Sequence, residues 1–112
     1  MKRCSFKVAK AIKEAGYPQE KLTDKVYLVN CDKEGKLAHY NSALYYDCVV
    51  APYAMDAWLW LWREKKIMFH LYYNVCHCCW SCIFNDYIQT GNDPEEAIIA
   101  AIEFLVDKDL IK

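Results

Sequence analysis

Glycine and proline are scarce in this chain of 112 residues, with three of each. The glycines stand far apart at Gly16, Gly35 and Gly91. A loop that wraps a phosphate needs clustered glycines, so the common nucleotide-cradling motifs are excluded and each glycine reads as a turn or cap residue. Long apolar runs are missing as well. Without about eighteen consecutive apolar residues, no segment reads as a bilayer-spanning helix. After Met1-Lys2-Arg3 comes Cys4 and an amphipathic pattern, which does not resemble a signal peptide. Net charge is also nearly absent, at −1, so no global field draws the chain to nucleic acid or membrane. These features lead to the expectation of a cytoplasmic protein without a membrane partner, whose seven cysteines are mostly reduced. An odd cysteine count further argues against a closed disulfide framework.

What is present is core material. Apolar residues make up 55% and aromatics 15% of the chain, too much for a disordered segment. A chain of this size buries roughly two thirds of its extended surface, and residues 1–112 are read as one α+β domain. Charge is unevenly spread. Lys2, Arg3, Lys7, Lys10, Lys13, Lys21 and Lys25 dominate the first 25 residues, whereas residues 86–112 carry seven acids against Lys108 and Lys112. The simpler reading is two ends that attract each other, because no Lys/Arg cluster is dense enough for a nucleic-acid footprint.

Ser5 reads as the N-cap of a first helix, Phe6 to Ala15, with Val8, Ala11, Ile12 and Ala15 inward. Gly16 ends it and Pro18 prevents resumption. Lys25 to Tyr40 predicts a hairpin turning at Asp32-Lys33-Glu34-Gly35. Asn41 to Val50 approaches the next helix in extended form, with room for one edge strand. Ile67 to Tyr73 alternates: Ile67, Phe69, Leu71 and Tyr73 share one face, and Met68, His70 and Tyr72 the other. Cys79 to Phe84 is its hairpin partner, with the turn inside Asn74 to Cys78. Asn85-Asp86 breaks that strand, and Tyr87-Ile88-Gln89 adds a short extended piece. Asp93-Pro94-Glu95-Glu96 supplies an N-cap, a first-turn proline and a capping-box glutamate for a last helix reaching Val106. The expected architecture is an antiparallel sheet of about four strands, from two hairpins, packed with three helices.

The stretch Ala51 to Lys66 is expected to be the helix around which the rest is organised, with Pro52 in its first turn. At about 100° per residue, Ala54, Met55, Ala57, Trp58, Leu59, Leu61 and Trp62 fill one broad apolar arc. That arc is wider than one sheet face requires, so the helix is expected between a sheet and another element. Trp62 lies at the arc's centre and is assigned to the core. Trp60 falls about 160° away, among Asp56, Arg63 and Glu64.

Chemistry-bearing residues concentrate in Cys76-His77-Cys78-Cys79-Trp80-Ser81-Cys82. Thiols and an imidazole are zinc ligand types. Structural zinc sites, however, draw on two separated knuckles, and no second C-x-x-C stands apart from this stretch; His39, His70 or Cys48 would have to complete a site. On a strand, Cys79 and Cys82 would also point to opposite faces. A redox pair needs a helix N-terminus behind it, whereas Ile83 and Phe84 follow. Buried or structural cysteine is therefore the preferred reading of Cys76, Cys78, Cys79 and Cys82, with no cofactor assigned. No third group recognisable in the sequence orients a Cys–His pair for catalysis.

SFKVAKAIKEAGYPQ, YYDCVVAPY, WLWREKKI and DPEEAIIAAIEFL occur here in that order. Together they resemble a family of small proteins, without an assigned activity, encoded in gut-bacterial genomes and their phages or mobile elements. The corresponding family segments read EVAKALKEAGYPQ, a short YDAP-like stretch, WLREKHGI and EEALEAAILEAL. Residues 21–44 and 74–92 are least alike. The resemblance implies a compact α+β domain from the accessory gene pool and transfers no catalytic residue. Where Trp60 stands, the family pattern has a polar residue.

The leading expectation is a non-enzymatic domain for protein–protein contact, self-association included, with Trp60, Tyr53 and Arg63 as contact residues. The alternative is a nucleic-acid-binding module using Lys7, Lys10 and Lys13 with exposed tyrosines as stacking platforms. A small zinc- or thiol-dependent protein is the third reading.

Overall fold

The structure, a computed structural model, describes residues 2–19, 25–28, 36–39 and 48–111. Among them are three helices and six strands: α1 (Phe6–Glu14), β1 (Lys25–Leu28), β2 (Lys36–His39), β3 (Cys48–Val50), α2 (Ala54–Lys65), β4 (His70–Asn74), β5 (Cys79–Phe84), β6 (Tyr87–Gly91) and α3 (Pro94–Asp107). The α+β class stands. The sheet differs from the single one of about four strands, because two three-stranded antiparallel sheets form, ordered β2-β1-β3 and β4-β5-β6. Both predicted strand pairings are there, the second starting at His70 rather than Ile67, and each gains a strand. Val49 pairs with Tyr27 at the edge of the first sheet, and Tyr87-Ile88-Gln89 extends into β6 on β5. The turn assigned to residues 32–35 and the approach over residues 41–47 lie outside the described residues.

Local chemistry sets the helix ends. Ser5 Oγ accepts from the Val8 N–H, and Gly16 leaves α1 at φ 111, where a side chain would be strained. The Asp93 carboxylate accepts from the Glu96 N–H at 2.8 Å. Glu96 returns the contact one residue upstream, accepting from the Asn92 N–H at 2.8 Å. α2 starts at Ala54 rather than in the turn of Pro52, and its N-cap Tyr53 has no capping side chain. Backbone replaces it: the Ala54 N–H donates to Lys2 O at 2.9 Å, and the Cys4 N–H donates to Pro52 O at 2.9 Å. An orphan donor of the first helical turn is thus satisfied by the N-terminal segment. At its other end Lys66 takes the left-handed position at φ 56, and its N–H closes a six-to-one bond to Leu61 O; the Ile67 N–H shares that carbonyl at 3.2 Å.

The organising element is α3, not α2. α3 touches β4, β5, β6, α1 and α2, whereas α2 packs chiefly on α3. Ala97, Ile98, Ala101, Ile102 and Leu105 of α3 are all buried. They share one cluster with Val8 and Ile12 of α1, Ala57 and Leu61 of α2, Val50 of β3 and Cys82 of β5. Apolar area removed from water is worth about 25 cal/mol per Å², and α3, whose mean hydropathy is the highest of the three helices, has most to place there. The basic and acidic ends do meet. Lys2 Nζ lies 2.7 Å from Asp93 and 2.7 Å from Glu96, and Lys7 pairs with Asp107. No helix among the described residues is long and apolar enough to cross a membrane.

Candidate contact surface on helix α2

α2 buries the line Ala54, Ala57 and Leu61, each with no exposed surface. Two of the three are alanines, so the backbone can approach α3 closely. The broad apolar arc extends well past this line. Met55, Leu59 and Trp62, at i, i+4 and i+7 on one face, remain 38%, 41% and 46% exposed. Met68, just beyond the helix, is 63% exposed. Together with Trp58 and Phe69 these four line an open groove of about 210 Å³ whose walls are all apolar. Its floor is a ring pair: Trp58 and Phe69 have centroids 6.0 Å apart, and Phe69 in turn meets Phe84 edge-on at 6.1 Å. Phe69 itself is buried, so the floor is anchored in the core while the rim faces water.

The two tryptophans exchange their expected places. Trp62, assigned to the core, is half exposed at the rim. Trp60, assigned to the surface, is partly buried and packs against the core cluster. Its ring meets Tyr17 edge-on at 5.2 Å, and Lys65 Nζ lies 5.7 Å from it. The centre of a wide apolar arc is not where the helix docks; the small residues decide, because they permit the shortest interaxial distance. The stop at Gly16 then delivers Tyr17 to the flank carrying Trp60.

A second groove, of about 350 Å³ and mixed polarity, runs along that flank between Tyr17, Pro18, Asp56, Leu59, Trp60, Arg63 and Glu64. Leu59 belongs to both grooves. Burial, and secondarily the Asp56 charge, pushes the Tyr17 phenol up to about 12, so it stays neutral at ordinary pH. Arg63 is exposed. Tyr53 is engaged within the chain: Arg3 Nη2 donates to its hydroxyl at 2.7 Å, and the guanidinium carbon lies 4.2 Å from its ring centroid. Of the candidate lysines, Lys7 is paired with Asp107, while Lys10 and Lys13 are exposed.

The cysteine-rich stretch is split by the hairpin. Cys76 and Cys78, expected to be buried, are instead exposed with His77, because the β4–β5 turn carries them out of the sheet. The register sets Cys79 opposite Asn74, and Cys82 opposite Leu71 and Gln89. An odd separation along β5 sends those two thiols to opposite faces. Cys82 is buried, and desolvation pushes its thiol up to about 12. Cys4, buried in the core cluster just before the Ser5 cap, is likewise raised to about 12 by desolvation. No group of three or more His, Cys, Asp or Glu placed to hold a metal occurs among the described residues. No protein-family model, curated protein or solved structure matches the chain.

Reasoning from periodicity missed Met55, Leu59 and Trp62 as surface residues, since all three were counted as core. The signal lay in the arc itself. It was too wide for one packing partner, and its alanines marked the line of contact to one side of centre.

Proposed function

We propose that this chain acts by binding protein, as a non-enzymatic contact module whose docking surface is the outer face of α2. One observation carries the reading: four large apolar side chains, Met55, Leu59, Trp62 and Met68, stand exposed around a single groove on a core-anchored floor. A lone exposed apolar residue needs no explanation, but a contiguous patch is a recurrent mark of an interaction site. Tryptophan is enriched among contact residues that dominate binding energy, and methionine adapts its shape to a partner. The neighbouring groove is lined by exposed Arg63 and partly buried Trp60, so two of the three expected contact residues stay in the proposal, whereas Tyr53 serves the fold through Arg3. The resemblance to small proteins of mobile elements supports an accessory role in a cytoplasmic, reducing setting, as does the odd number of cysteines.

A photo-reactive benzophenone side chain placed at Leu59 in living cells tests this, with the same group at exposed Lys13 as control. Adducts to a protein chain, identified by mass spectrometry and several-fold more abundant at 59 than at 13, are expected. No adduct at 59, or equal yields at both positions, overturns the reading. The Lys10/Lys13 face is checked separately by oligonucleotide binding that collapses with added salt.

A further inference from the structure

We propose that the occupant of the α2 face is a second copy of this chain, paired about a two-fold axis with the two α2 helices antiparallel. This rests on the contact-surface reading above and names its partner. Met55, Leu59 and Trp62 form a seam of alternating four- and three-residue steps, the spacing that lets one helix lie along another. Asp56 and Arg63 flank this seam on one side, seven residues apart, both exposed. Neither forms an ion pair with another described residue.

That separation fixes the orientation. Residues seven apart occupy the same flank of the seam, and like flanks face each other when two helices run antiparallel. With the axis level with residues 60 and 61, Leu59 meets Trp62 of the partner subunit and the reverse contact repeats it. In the same register Asp56 and Arg63 of the partner subunit lie on facing flanks two residues, about 3 Å, off level, a gap the long arginine side chain spans, and the contact occurs twice. An isologous contact must be self-complementary, and an acid and a base on one flank meet that condition. A parallel pair would place the Asp56/Arg63 flank against the opposite flank, which carries Trp58 and Lys65, and so lose both matches. Antiparallel helices also oppose their dipoles favourably. The groove beside Trp62, roofed by Met68 and floored by Trp58 and Phe69, receives the side chains that cross the axis.

Sedimentation of the purified full chain from about 1 to about 500 µM is the test, with Trp62→Lys, Asp56→Arg, Arg63→Asp and the double charge exchange. The wild type is expected to rise with concentration toward twice the 13.2 kDa chain mass. Trp62→Lys holds it at one chain. Each single charge exchange replaces two attractive contacts by two repulsive ones and weakens pairing about 5- to 50-fold, while the double exchange returns it to within about threefold of wild type. Circular dichroism at the lowest concentration verifies that each variant is folded. A wild type that stays monomeric throughout overturns self-pairing, as does a double exchange whose losses add. A dimer indifferent to Trp62→Lys overturns both this and the contact surface. Cross-links from position 59 to a different protein, with a monomeric purified chain, overturn self-pairing alone.

Discussion

Gly91→Ala probes the joint on which the fold turns. Gly91 ends β6, where the first turn of α3 crosses the strand. A Cβ built there would stand 2.5 Å from the Ala97 nitrogen and 2.7 Å from the Glu96 carbonyl carbon. Both are backbone atoms, so no side-chain rotation relieves the contact. α3 must retreat from 2.5 Å to the 3.4 Å of ordinary contact, and its first turn also carries the Asp93 cap and the Asn92–Glu96 hydrogen bond. Overpacking of this kind costs about 1–3 kcal/mol, and a weakened cap adds about 0.5–2. Against this, Ala restricts the unfolded chain and returns about 0.4–1 kcal/mol. The net expectation is a loss of about 1–4 kcal/mol, read as a lower urea midpoint with an unchanged slope. A neutral or stabilised Gly91→Ala would refute the close seating of α3 on β6, and with it the placement of α3 at the centre.

Asp93→Ala removes the acceptor for the Glu96 N–H and one partner of Lys2, so a loss of about 0.5–2 kcal/mol by denaturant titration is expected with the fold retained. Lys2 lowers the Asp93 and Glu96 carboxyls below their ordinary values of 3.8 and 4.5, mainly through hydrogen bonds. Their contribution is therefore complete above those values and disappears as pH falls through the lowered range; Lys2→Gln should flatten that acid limb of a stability–pH curve, and an unchanged limb contradicts the tether. Cys76 and Cys78 should react promptly with an aromatic disulfide reagent in the native state, whereas Cys4 and Cys82 wait for unfolding. Because burial raises those two thiols from 9.0 to about 12, stability should decline as pH rises above 9, where the unfolded chain ionises first.

Elements whose signals are local were legible from the residues. Ser5 and Asp93 cap the helices assigned to them, Gly16 takes a positive φ, and Cys79 to Phe84 forms a strand with the expected bounds. The attraction between basic and acidic ends was legible too, as Lys2 and Lys7 show. Tertiary choices were less so. Periodicity described the width of α2's apolar arc but not which part docks, because that depends on how closely Ala54 and Ala57 let α3 approach. Gly91 read as a turn residue, since its real constraint comes from a helix that folds back over it. For the same reason Trp60 and Trp62 traded places: Tyr17, which covers Trp60, is brought there by the stop after α1.

The claim that the outer face of α2 is a covered contact surface is tested most directly by hydroxyl-radical footprinting read by mass spectrometry. Dilute purified protein is compared with the same chain labelled inside cells. The account predicts rapid oxidation of Met55, Met68 and Trp62 in dilute solution and strong protection of all three in the cell, with Trp60 slow in both. Equal oxidation of Met55, Met68 and Trp62 in the two settings, or a Trp60 more reactive than Trp62 in dilute solution, would contradict it.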